Sequence, residues 1–126
     1  MAKDLIIIGG SGFGREVANL VNDINVVKHT WNLLGLIDDN LKGSTVEGLQ
    51  ILGGIGDLHK INPRPEVVVA IADTDTRCLI VEKLSMEGYS FATLIHPSVT
   101  TGKLVGLGEG TIVCANTLFT TNIDIG

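Results

Sequence analysis

Short, uninterrupted apolar runs recur along the chain, at Leu5-Ile-Ile-Ile8, Leu33-Leu-Gly-Leu-Ile37 and Val67-Val-Val-Ala-Ile71. Runs of this length, bounded by glycine or polar turns, are the pattern of strands buried on both faces of a parallel sheet. Between them the period changes. Val17, Leu20, Val21 and Ile24 stand three and four apart, which predicts an amphipathic helix over about residues 15–23. A second helix is predicted over residues 77–87, ending at Gly88, since glycine readily takes the position after a helix. Leu49-Gln-Ile-Leu52 predicts a weaker strand, Asp57 can cap a short turn through His59, and residues 89–95 predict the last strand of the domain. Alternating strands and helices argue for an α/β fold, a small Rossmann-like parallel sheet that binds ligands at the carboxyl ends of its strands.

From residue 95 the helical period disappears. Steps of six give Ile95, Thr101, Leu107, Val113, Phe119 and Ile125, with a second column at Val99, Val105, Thr111, Thr117 and Ile123. Gly102, Gly108 and Gly126 follow three of the leading positions, and Thr101 is the poor fit. Two phased columns six apart predict the hexapeptide repeat of a left-handed β-helix. The chain therefore divides into an α/β domain over residues 1–94 and the first coils of a β-helix over residues 95–126. A coil takes about three hexads, so one full coil and part of a second are expected.

Composition narrows the function. Apolar residues make up 44% of the chain and charged residues 18%, enough for an aliphatic core. The net charge of −5 argues against nucleic-acid and anionic-membrane partners, which reward clustered Lys and Arg. No apolar run is long enough to span a bilayer and no signal peptide precedes the first strand, so the cytoplasm is the expected compartment. Cys78 and Cys114 have neither disulfide-framework nor metal-ligand spacing, and no metal site is expected.

The glycine turn Gly9-Gly-Ser-Gly-Phe-Gly14 follows a strand and opens a helix, a geometry that lets a phosphate approach helix amides. Aligned as Gly10-Ser-Gly12, the dinucleotide fingerprint fails because Arg15 stands where glycine or alanine belongs. Asp38 and Asp39 close the second strand roughly two dozen residues later, where open α/β folds place an acid against a ribose and where a solvated acidic turn is the alternative. Asp73-Thr-Asp75 ends the strongest strand at the same edge, either lining the crevice or capping the next helix. His96, in Ile95-His-Pro-Ser98, has no acid–base partner at a useful spacing and reads as a packing or hydrogen-bonding residue. His29 and His59 lie in polar stretches and are not read as catalytic.

In order, Ile7-Ile-Gly-Gly-Ser-Gly-Phe-Gly14, Gly35-Leu-Ile-Asp-Asp39, Val69-Ala-Ile-Ala-Asp-Thr-Asp-Thr-Arg77, Leu94-Ile-His-Pro-Ser98 and the hexads resemble one family. It is that of the bacterial sialic acid O-acetyltransferases and the related UDP-sugar N-acetyltransferases. The resemblance implies an N-terminal domain that binds a UDP-sugar or related substrate, a β-helix that forms a homotrimer, and acetyl-CoA as cosubstrate between neighbouring helices. By motif, Ser11, Gly12 and Phe13 would face the diphosphate and sugar, Asp38 and Asp39 the uridine, and Ala72 with Asp75 the remaining wall. Phe13 stands where such proteins often have a small residue or His, and Ala72 replaces a usual Gly. The family's catalytic His lies beyond Gly126, so no catalytic residue is assigned and this chain alone is expected to be inactive. The alternatives are a non-enzymatic nucleotide-binding or oligomerisation module, and a nicotinamide-dependent oxidoreductase, which the broken fingerprint disfavours.

Overall fold

The computed structural model describes residues 2–40, 45–46, 48–98, 110–113 and 118–120. Five strands form the main sheet: β1 (Lys3–Ile8), β2 (Trp31–Ile37), β3 (Thr45–Val46), β4 (Leu49–Gly53) and β5 (Glu66–Val69), in the order β3-β4-β2-β1-β5. β4, β2, β1 and β5 run parallel, and the short β3 pairs antiparallel at the edge. The expected small parallel α/β domain is thus present. Helix α1 (Gly12–Val27) connects β1 to β2, a 3-10 helix (Ile55–Lys60) follows β4, and α2 (Thr74–Met86) follows β5.

The period of two in the strands divides the apolar side chains between two cores. Leu5 and Ile7 of β1 meet Val17, Leu20 and Val21 of α1, together with Leu36 and Val68. Ile6 and Ile8 point the other way, against Val67, Val69, Leu58 of the 3-10 helix and Leu84 of α2. An all-apolar run is required because both faces of β1 are covered.

Helix α1 is longer than residues 15–23. It begins at Gly12, directly after the turn, and continues through Val27, whose last turn carries Val26 and Val27 at 86% and 73% exposure. Those two valines lie off the buried face, so periodicity gives no sign of them. Past the helix, Asn25 Oδ1 accepts from Thr30 N and Trp31 N at 3.1 and 3.0 Å, and its Nδ2 donates to Trp31 O at 2.9 Å, fixing the entry to β2.

Residues 89–95 do not make the expected strand. A single parallel bridge, Val67 with Phe91, is carried by Val67 N to Ser90 O and Ala92 N to Val67 O. Tyr89 and Phe91 still enter one core and Ala92 and Leu94 the other, so the alternation survives although the ladder does not. Leu94–Ile95 form β6 of a second sheet, in the order β6-β7-β8 with β7 (Thr111–Val113) and β8 (Leu118–Thr120). β6 pairs parallel with β7 as Leu94 with Ile112 and Ile95 with Val113, partners eighteen positions apart, which equals three hexads. β7 and β8 pair antiparallel, unlike the parallel stacking of a β-helix coil. Of the columns, Thr101, Gly102, Val105, Leu107, Gly108, Val99, Thr117, Ile123, Ile125 and Gly126 lie outside the described residues.

Candidate functional site

β1 stands where the strand order reverses, with β2 and β4 leading away on one side and β5 on the other. At such a switch point the loops diverge above the carboxyl ends of the strands and leave a crevice. Here it is a cleft of about 620 Å³ lined by Gly9, Ser11, Asp38, Asp39, Asn40, Ile55, Ile71, Ala72, Asp73, Thr76 and Ile80, among others.

The glycine turn closes one end. Gly9 has φ +113°, and a Cβ there would lie 2.6 Å from the carbonyl oxygen of Ala70, so the turn can press against β5 only as glycine. A Cβ on Gly14 would collide with the carbonyl of Gly9. The fingerprint is therefore set one residue earlier than Gly10 and Gly12 suggest. Gly9 makes the tight turn, Gly14 lets the helix approach the strand end, and Ser11 stands at the middle glycine position of G-x-G-x-x-G. Arg15 no longer breaks the pattern.

Asp38 braces this turn. Its Oδ2 accepts from Gly10 N and its Oδ1 from Asn40 N, both at 2.8 Å, while Gly9 N donates to Ile37 O at 2.7 Å. Asp39 Oδ1 accepts from Ile55 N at 2.9 Å and so ties the end of β2 to the 3-10 helix. Both acids line the cleft, and each also holds a neighbouring loop, a role that sequence spacing does not show.

The two helices opening at this edge differ. Asp73 caps α2, accepting from Thr76 Oγ1 at 2.6 Å and Thr76 N at 2.9 Å. The bond from the Thr76 hydroxyl, then that from its amide, holds the Asp73 carboxyl below its ordinary range against desolvation, and the nearby Arg77 charge adds a lesser pull in the same direction. Arg77 in turn donates to the carbonyls of Ile71 and Ala72 at 2.9 and 3.3 Å. At α1, by contrast, Ser11 makes no side-chain capping bond and the first turn carries no acid. The carboxylate at this end comes from the end of β2 instead, as Asp38 on Gly10 N, two residues before the helix.

Of the residues singled out in the sequence, Ser11, Asp38, Asp39 and Ala72 come together in the cleft. Gly12 opens α1 and is exposed, Phe13 turns into the α1-side core at 9% exposure, and Asp75 sits exposed in the first turn of α2 away from the lining. Thr76, Ile80 and Lys83 were not anticipated; with Asp73 they fall on one face of α2, a three-and-four spacing visible once the cap is placed at Asp73. A smaller hollow of about 430 Å³ lies between the 3-10 helix and α2, where Arg64 stacks 4.4 Å above the Tyr89 ring. His96 does have an acid partner: Asp23, seventy-three positions away, with Nε2 to Oδ2 at 3.2 Å. Cys78 is a half-buried free thiol, and Cys114 lies outside the described residues. Among the described residues, no helix is long and apolar enough to cross a membrane and no group of three His, Cys, Asp or Glu could hold a metal ion.

A four-stranded parallel sheet with a glycine turn at its switch point and an open cleft define a small open α/β domain of the doubly wound type. The chain belongs to the PglD N-terminal domain family, whose pattern matches residues 4–84. It is 29% identical over 118 residues to UDP-N-acetylbacillosamine N-acetyltransferase of Bacillus subtilis (strain 168), covering 90% of this chain and 52% of that protein. The acetyltransferase domain of PglB from Neisseria gonorrhoeae FA1090, solved in complex with acetyl coenzyme A, matches with a TM-score of 0.66 at 28% identity, over 77% of this chain and 45% of that one. A perosamine N-acetyltransferase variant from Caulobacter crescentus, solved with CoA and GDP-perosamine, has a TM-score of 0.66 over 75% of this chain and 43% of its own; at 24% identity it speaks to the fold alone. The chain spans about half the length of these relatives.

Proposed function

We propose that this chain is the nucleotide-sugar-binding part of an acetyl-CoA-dependent sugar acetyltransferase acting on an amine of a nucleotide-linked sugar. The observation that carries the reading is the switch-point cleft with the glycine turn and the start of α1 at one end, where Ser11 makes no side-chain capping bond. Three carboxylates, Asp38, Asp39 and Asp73, line this cleft, so a diphosphate needs a source of positive potential. The amides and dipole of the α1 N-terminus supply it, together with Lys83, which also lines the cleft. Ser11, with a hydroxyl at the middle fingerprint position, adds a donor to the same group, and Gly12 leaves the approach clear. The nucleoside then runs toward Asp38 and Asp39, over the apolar wall of Ile55 and Ile80, with Ala72 opposite. Phe13 and Asp75 act on this site indirectly, Phe13 by seating α1 and Asp75 through charge at the start of α2.

The names of the Bacillus subtilis and Neisseria gonorrhoeae relatives support N-acetylation and acetyl-CoA as cosubstrate; O-acetylation is the variant chemistry of the same family resemblance. When bound, acetyl-CoA supplies the acyl group as a thioester. The hexad columns and the eighteen-position pairing of β6 with β7 support a left-handed β-helix over residues 95–126 and, with it, a homotrimer. Bounds of 1–94 and 95–126 for the two parts, and a cytoplasmic location, complete the reading.

Calorimetry with UDP-linked amino sugars and with NAD tests it. Saturable binding of a UDP-sugar is expected. Binding of NAD with no response to any UDP-sugar would overturn the assignment in favour of an oxidoreductase-type site.

A further inference from the structure

One imidazole ties the chain leaving the main sheet back to α1. His96 Nε2 lies 3.2 Å from Asp23 Oδ2, while on the other side of the ring Nδ1 lies 2.8 Å from Ser98 Oγ and 3.1 Å from Ser98 N. The tautomer follows from the donors. A backbone N–H can only donate, so Nδ1 carries the lone pair and the ring proton sits on Nε2, where it donates to the Asp23 carboxylate. The His96 side chain is 24% exposed and that of Asp23 58%.

Carboxylate, imidazole and hydroxyl in sequence have the composition of a nucleophilic triad, but this arrangement does not act as one. The base in a triad needs a lone pair free to take the hydroxyl proton, and here Ser98 N already donates to it. Positioning fits better. Leu94, two residues before His96, is fully buried in the core that α1 faces, and Ile112, its partner in β7, is buried in the same cluster. Apolar contacts of that kind are non-directional and let a short strand pair slide. A hydrogen bond from a ring held by its own turn supplies the missing direction.

We infer that His96 is a positioning residue: as the Nε2–H tautomer it pins the start of the residue 95–126 segment to α1 through Asp23, while its Nδ1 holds the His-Pro-Ser turn. Such a pin would fix the repeat relative to the cleft-bearing sheet, and hence the amine relative to the thioester. That consequence rests on the proposed function, whereas the pin itself does not, and the tests below involve neither substrate nor cosubstrate.

Two measurements on the full chain decide it. Nitrogen-15 spectra of the imidazole are expected to show a protonated Nε2 and a bare Nδ1 for His96; a protonated Nδ1 in the neutral ring overturns the inference. Hydrogen exchange then reads docking at the amides of Leu94–Ile95 and Thr111–Val113. Asp23→Ala and His96→Asn, whose shorter amide keeps the Ser98 contact but cannot reach Asp23, are expected to lower protection there about fivefold. His96→Gln, whose amide nitrogen replaces Nε2, should retain most of it, and β1 and β2 should not change in any variant. Asp23→Ala improves helix propensity, so α1 itself is not put at risk. Unchanged protection in Asp23→Ala, or equal loss in His96→Asn and His96→Gln, would show that no pin exists.

Discussion

Asp38 has more than one task, and the two can be separated. Both its oxygens accept backbone N–H groups, one of them from the glycine turn, so the carboxylate shapes the site before any ligand arrives. Removing the acceptor leaves the part-buried Gly10 N unpaired, at a cost of about 1–3 kcal/mol, whereas the exposed Asn40 N turns to water. Asp38→Ala is therefore expected to lower stability in a denaturant melt by about that amount, and to weaken UDP-sugar binding because the turn loses its brace. Weakened binding at full stability would instead mark Asp38 as a direct nucleoside ligand only. The sequence makes Asp38 and Asp39 candidates for the crevice, since acids closing a β-strand at that spacing are informative. It could not show which amides they hold, because Gly10 lies twenty-eight positions from Asp38 and Ile55 sixteen from Asp39. The family resemblance alone places Phe13 beside the diphosphate, whereas α1 begins at Gly12 and turns its ring into the core.

At the scale of elements, the α2 cap gives the site wall a pH dependence. The Asp73 carboxyl is held below its ordinary range in the folded chain, so it binds fewer protons there than when unfolded. Its stabilising contribution is thus fully present above the ordinary carboxyl pKa and is lost as pH falls through the lowered folded value. Asp73→Ala should destabilise the chain near neutrality, and the gap from the parent should close as the solution is acidified. A gap that persists or widens in acid would contradict the cap. The strands β1, β2 and β5 were legible because burial on both faces demands continuous apolar runs. β3 was not, being two residues long, and residues 89–95 were read as a ladder because their alternation is that of a strand even though only one bridge forms. The last turn of α1 escaped for the opposite reason, as Val26 and Val27 are apolar but face solvent.

For the whole molecule, binding and transfer are expected to separate. Transfer needs a base within reach of the acceptor amine and a held thioester, and the family resemblance places both in the later repeat. Thiol release from acetyl-CoA with UDP-amino sugars is accordingly expected to be absent for this chain, and turnover by it would contradict that placement of base and thioester. The central claim is that the diphosphate of a nucleotide-sugar sits on the α1 end of the switch-point cleft. Amide chemical-shift mapping during titration with a UDP-amino sugar tests it most directly. Saturable shifts at Gly10, Ser11 and Gly12, with smaller ones at Asp38, Asp39 and Thr76, are predicted; shifts confined to the hollow around Arg64 and Tyr89, with the glycine turn silent, would contradict it.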